Sequence, residues 1–79
     1  MSHRRWRTPF GSWVKRYGAA RLGRELGLSG PIPIYQWLGG ASVPRAEHAL
    51  RIVALAGGRV RLEHIFAQRA AVQGARAGL

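Results

Sequence analysis

Ala20-Arg21-Leu22-Gly23-Arg24-Glu25-Leu26-Gly27-Leu28-Ser29, followed by Ile34-Tyr35-Gln36-Trp37-Leu38, is the stretch on which the fold turns. Leu22 and Leu26 lie one helical turn apart, and Gly27 then stops the helix, as glycine does just past a helix end. The turn it opens needs a positive φ, which glycine accepts at little steric cost. Gly23, between the two leucines, is the tiny residue a first helix needs where a second one crosses it. In the second helix Ile34 and Trp37 face the core, while Tyr35 and Gln36 face outward. Two short helices meeting across a tight glycine turn, with that pattern on the second, follow the recipe of a helix-turn-helix.

Helical signals extend to both sides. Phe10, Trp13, Val14 and Tyr17 recur at helical spacing with Lys15 and Arg16 on the other side, and Gly18 ends that helix. Ala19 to Leu26 is the second helix. Ser29 is expected to cap the third and Pro31 to sit in its first turn, where a missing N–H costs nothing. Gly39 and Gly40 end it, giving a helix of about 31–39. After a loop over Ala41 to Val43, Ser42 is expected to cap or nearly cap a fourth helix. Pro44 then falls in its first turn and Glu47 in its electropositive end. Ala46, Ala49, Leu50 and Val53 form its expected inner face, and Gly57 and Gly58 end it. Val60, Leu62, Ile65 and Phe66 suggest a brief extended piece and then one or two helical turns. The expected organisation is a basic N-terminal arm over 1–9, a domain over 10–66, and a tail over 67–79 that is helical or frayed. No segment alternates with period two long enough to make a strand.

Composition narrows the function. In 79 residues, 13 Lys+Arg stand against 3 Asp+Glu, a formal charge of +10. Apolar residues make up 47% of the chain, too many for a disordered polycation. A domain so basic is expected to meet a polyanion. All but one of the cations are arginines, which fork onto phosphate and onto the guanine edge, although a GC-rich codon bias accounts for much of that choice. With no cysteine there is no disulfide staple, thiolate metal site or cysteine nucleophile. The three glutamates are widely separated and there is no Asp, so paired-carboxylate chemistry lacks raw material. Glu47-His48 and Glu63-His64 are adjacent pairs, which do not face each other on a helix, and no metal-ligand spacing occurs. Surface or capping roles suit these histidines better. Gly23-Arg24-Glu25-Leu26-Gly27 matches a membrane G-x-x-x-G pattern, but the charged pair inside it rejects that use. No run approaches the length of a membrane span, and no apolar stretch follows the basic N-terminus as in a signal peptide. The expectation is a non-enzymatic, cofactor-free, metal-free protein of the cytoplasm, associated with the nucleoid.

Leu22-Gly23-Arg24-Glu25-Leu26-Gly27-Leu28-Ser29, Ile34-Tyr35-Gln36-Trp37-Leu38-Gly39-Gly40, Val43-Pro44-Arg45-Ala46-Glu47-His48-Ala49-Leu50-Arg51-Ile52 and Gly57-Gly58-Arg59-Val60-Arg61-Leu62-Glu63 form an ordered set that resembles the Cro-like phage and prophage regulators, particularly the YdaS-type group. A Trp-x-x-Gly after the third helix, a Pro-led fourth helix and a Gly-Gly-x-Val-x-x-Glu close recur in that group. The resemblance covers roughly residues 12–66. The periodicities give an all-α class of four to five short helices, and the resemblance implies a lambda-repressor-like, five-helix helix-turn-helix domain with the third helix in the major groove of DNA. One departure is Ser29-Gly30-Pro31-Ile32-Pro33, about one residue longer than the usual spacing and carrying two prolines.

On that reading Ser29, Pro31, Ile32, Tyr35 and Gln36 are candidate base contacts. Gln36 suits a bidentate bond to adenine, and Tyr35 suits a thymine methyl or a phosphate. If the longer turn rotates the helix, Ile32 or Ser29 carries the readout instead. Arg4, Arg5, Arg7, Lys15, Arg16, Arg21, Ser42 and Arg45 are candidate phosphate contacts. Gly23, Gly27, Ile34 and Trp37 are the fold-critical positions. Trp37 and Trp13 belong to the core; Trp6, in the arm, is the tryptophan free to stack on bases. The expected partner is double-stranded DNA, and a homodimer or a protein partner stays open. The rivals are a helix-turn-helix fold used as an antitoxin-like protein-interaction module and a non-specific nucleic-acid or membrane-surface polycation.

Overall fold

The computed structural model describes residues 4–77, with residues 74–77 described by their backbone alone. The outermost residues of the expected arm and tail, 1–3 and 78–79, lie outside the described residues. Five α-helices follow a single 3-10 turn at Arg4–Trp6: α1 Pro9–Tyr17, α2 Ala19–Glu25, α3 Ile32–Gly39, α4 Ala46–Ala56 and α5 Leu62–Ala77. No strand occurs among the described residues, so the class is all-α, as the periodicities require.

Local chemistry sets most of the boundaries. Thr8 caps α1: its Oγ1 accepts from the Gly11 N–H at 2.9 Å and donates to the Arg5 carbonyl at 3.0 Å. Pro9 follows in the first turn, where its missing N–H costs nothing. The α2–α3 turn is a Schellman closure. Gly27, at φ +76°, donates to the Arg24 carbonyl at 3.1 Å, and Leu28 donates to the Gly23 carbonyl at 2.8 Å. Gly23 is needed at the same turn. A Cβ there would stand 2.7 Å from the Gly30 carbonyl oxygen, so the close approach is to the turn backbone rather than to the body of α3.

The core is one cluster drawn from every helix, with Phe10, Val14, Leu22, Ile34, Leu38, Ile52, Val60 and Ile65 fully or almost fully enclosed. Burial of each such side chain contributes roughly 1.5–3 kcal/mol. Trp13 and Trp37 are buried with them, as expected.

Several expectations are corrected. The described part of the N-terminal segment is not a free arm: the 3-10 turn at Arg4–Trp6 packs against α1, α3 and α5, and Trp6 is partly buried on the core. Ser29 does not cap α3. Pro31 occupies the cap position without a side-chain bond, and Pro33, in the first turn, has no N–H for a cap to hold. Ser42 does not cap α4, which starts beyond its reach with Arg45 in the cap position; the Ser42 N–H instead bonds the Gln36 carbonyl at the end of α3, at 3.4 Å. The chain runs on through Pro44 to Arg45, the cap residue, and α4 begins at Ala46. Its inner face is Ala49, Ile52 and Ala56, with Val53 at the margin, while Leu50 is 57% exposed. The tail takes the helical of its two expected forms as far as Ala77: α5 runs for 16 residues, so the expected boundary at 66 falls inside a continuous helix.

Candidate nucleic-acid interface

α3 has two faces with different chemistry. Ile34, Trp37 and Leu38 are buried. Ile32, Tyr35 and Gln36, at i, i+3 and i+4, form the opposite stripe and are exposed. Ile32 is 62% and Tyr35 40% exposed, high values for large apolar surfaces. Ile32, the residue of the alternative readout, thus shares one stripe with Tyr35 and Gln36. Ser29 and Pro31 lie in the turn just before the helix, Ser29 exposed and Pro31 half-buried.

Tyr35 is held from the side. The Trp6 ring stands edge-on to it, with centroids 6.5 Å apart and planes at 79°. This contact joins the 3-10 turn to α3. Arg4 and Arg7 are exposed; Arg5 is half-buried, and its carbonyl is bonded to Thr8. Trp6 is thus a bracket between the 3-10 turn and α3, not a free stacking platform.

The remaining cations divide. Lys15 and Arg16 are exposed in the last turn of α1. Arg16 shares an open cleft of about 330 Å³ with Arg59, Pro9 and Trp13. Arg59 was not singled out in the sequence because it sits between glycines and a valine with no helical pattern. Arg21 lies 4.2 Å over the Tyr17 ring and 3.9 Å from Glu25, one turn along α2. Its side chain stays 57% exposed, so that pair contributes little and leaves the guanidinium accessible. Arg45 is exposed at the cap of α4, and Ser42 is half-buried in the loop before it.

Two residues that sequence reasoning passed over hold α3 in place. Gln68, buried in α5, donates from Nε2 to the Leu38 carbonyl, and Gln73 donates to the Gly40 carbonyl at 3.1 Å. In a tail of Ala, Gln, Arg and Gly, nothing local marks either one. The histidines take modest roles. His64 Nδ1 accepts from the Arg61 N–H at 3.0 Å and so caps the start of α5. His48 tilts against Trp37 with ring centroids 5.8 Å apart. Among the described residues no group of three or more His, Asp or Glu could hold a metal, and no helix is long and apolar enough to cross a membrane.

Compared with family models, curated proteins and solved structures, the chain matches none.

Proposed function

We propose that this protein is a sequence-specific double-stranded-DNA-binding regulator of transcription, of the Cro-like kind, acting without enzymatic chemistry on the cytoplasmic nucleoid. α2, the Gly27 turn and α3 serve as its helix-turn-helix, with α3 in the major groove. The observation that carries the reading is the stripe of Ile32, Tyr35 and Gln36. It offers groups suited to base edges on a short helix, with Trp6 of the arginine-bearing 3-10 turn set against Tyr35. Base edges then supply specificity, while Arg and Lys on phosphates supply affinity.

A salt titration of duplex binding by fluorescence anisotropy tests this. Each phosphate contact contributes a log–log slope of about −0.9, and roughly four to seven contacts per protomer are expected. A slope near zero removes DNA as the partner. Selection from a random duplex library supplies the second test: a sharp motif supports the regulator, and uniform enrichment supports a non-specific polycation.

A protein-partner reading, antitoxin-like or a homodimer, draws support from Leu50 and Phe66, 57% and 48% exposed on α4 and α5. Absence of any duplex binding, together with a change in sedimentation when a partner is added, would favour it.

A further inference from the structure

The stripe on α3 lacks the side chain best suited to guanine. From Leu26 to Pro44 the chain has no Asp, Glu, Lys, Arg or His, although the whole protein carries +10. That neutral span holds the entire turn and all of α3. Guanine offers N7 and O6, two acceptors that Arg or Lys matches; cytosine offers an amino donor that a carboxylate matches. α3 has neither kind of group. Arg24 and Arg45 lie on either side of the span, on α2 and at the cap of α4, and suit phosphates.

What α3 does present is matched to A·T pairs. Thymine carries the major groove's only apolar group among the standard bases, its C5 methyl, and adenine pairs an acceptor with a donor as an amide does. Ile32 offers an aliphatic side chain that is mostly in water. Gln36 offers the amide, one helical turn further along the same stripe. Tyr35, steadied by Trp6, offers a ring edge between them. We infer that the base pairs read by α3 are A·T pairs, recognised through thymine methyl groups with Ile32 as the main methyl contact and through adenine by Gln36. This rests on the DNA-binding reading above and narrows its target.

The experiment begins with a duplex selected from a random library with the wild-type protein. Each thymine of the motif is then replaced in turn by uracil, which removes the methyl and nothing else. Loss of one buried methyl corresponds to about a fourfold weaker Kd. That loss is expected at one or more central positions. Ile32→Ala should bind the thymine and uracil duplexes equally and a scrambled duplex as the wild type does. Ile32 is exposed, so the variant should keep its helical circular dichroism; the uracil series on wild-type protein stands without it. A motif centred on G·C pairs, or uracil without effect at every position, overturns the inference. If duplex binding still falls steeply with salt in that case, the regulator reading survives alone. No duplex binding at any salt overturns both.

Discussion

Gln68 Nε2 donates to the Leu38 carbonyl at 2.9 Å, joining α5 to the C-terminal end of α3 across 30 residues of sequence. The last carbonyls of a helix have no partner within it. Here the Gly40 closure takes the Gln36 and Trp37 carbonyls, Gln68 takes that of Leu38, and Gln73 takes that of Gly40 just beyond. The end of α3 is therefore held by a helix that itself presents none of the stripe. Gln68 is 2% exposed, so its bond to the Leu38 carbonyl is buried and its loss is costly.

Gln68→Met should lower stability by about 1–3 kcal/mol, the cost of a buried carbonyl left without its donor. Gln68→Glu should be worse at neutral pH, because a carboxylate cannot donate to Leu38 and burial raises the pKa of a carboxyl group. A folded pKa above the unfolded one means that this penalty is absent below the unfolded value, grows as pH rises from there to the folded value and levels off above it. Urea melts of both variants across pH check the order and the sign. A Gln68→Glu variant equally stable at all pH values would contradict the buried bond.

Gly11→Ala should detach the 3-10 turn. A Cβ at Gly11 would overlap the Arg5 carbonyl oxygen and crowd the Thr8 hydroxyl, and the Arg5 oxygen belongs to backbone that cannot rotate away. The Trp6–Tyr35 contact depends on that turn. The expected result is a lower Tm together with weaker binding to specific and random duplexes alike. If Gly11→Ala melts as the wild type does, the docking of Arg4–Trp6 on α1 is misplaced.

The two turn glycines should respond differently. Gly27 has open space around its missing Cβ, so only its φ of +76° penalises a side chain. Gly27→Asn should therefore be mild, and Gly27→Val should cost more than about 1 kcal/mol, since β-branched residues avoid that region. Gly23 fails on space instead, so Gly23→Leu should be worse than Gly27→Val through overpacking against Gly30. Thermal melts rank the three; equal values for all would dissolve the distinction between strain and clash.

Specificity and affinity should separate by position. Gln36→Ala, on the α3 stripe, should lose about 1–3 kcal/mol at a selected site and little on random DNA, with the salt slope nearly unchanged. Arg45→Ala should weaken both uniformly and reduce the slope by about one. Anisotropy titrations on one selected and one scrambled duplex decide. A change in the ratio for Arg45→Ala but not for Gln36→Ala would exchange their roles.

What the sequence determined by itself is local. The all-α class, the stop at Gly27, the end of α3 at Gly40 and the inward Ile34 and Trp37 against the outward Tyr35 and Gln36 all follow from φ preferences and the 3.6-residue period, which act within a few residues. The α4 face was not legible in this way. In Ala46–Ala56 the polar residues Glu47, His48 and Arg51 share one side and leave Leu50 and Ile52 on opposite flanks of the apolar arc, so periodicity allows either to be inside, and packing against the rest of the core selects Ile52. Trp6 among arginines reads as an exposed aromatic until α3 supplies Tyr35 beside it. Nothing local marks Gln68 and Gln73 until the end of α3 supplies carbonyls for them. Nothing local marks Gly11 until the Arg5 backbone lies against it. Each of these depends on two segments meeting in space, and only the tertiary structure decides which segments meet.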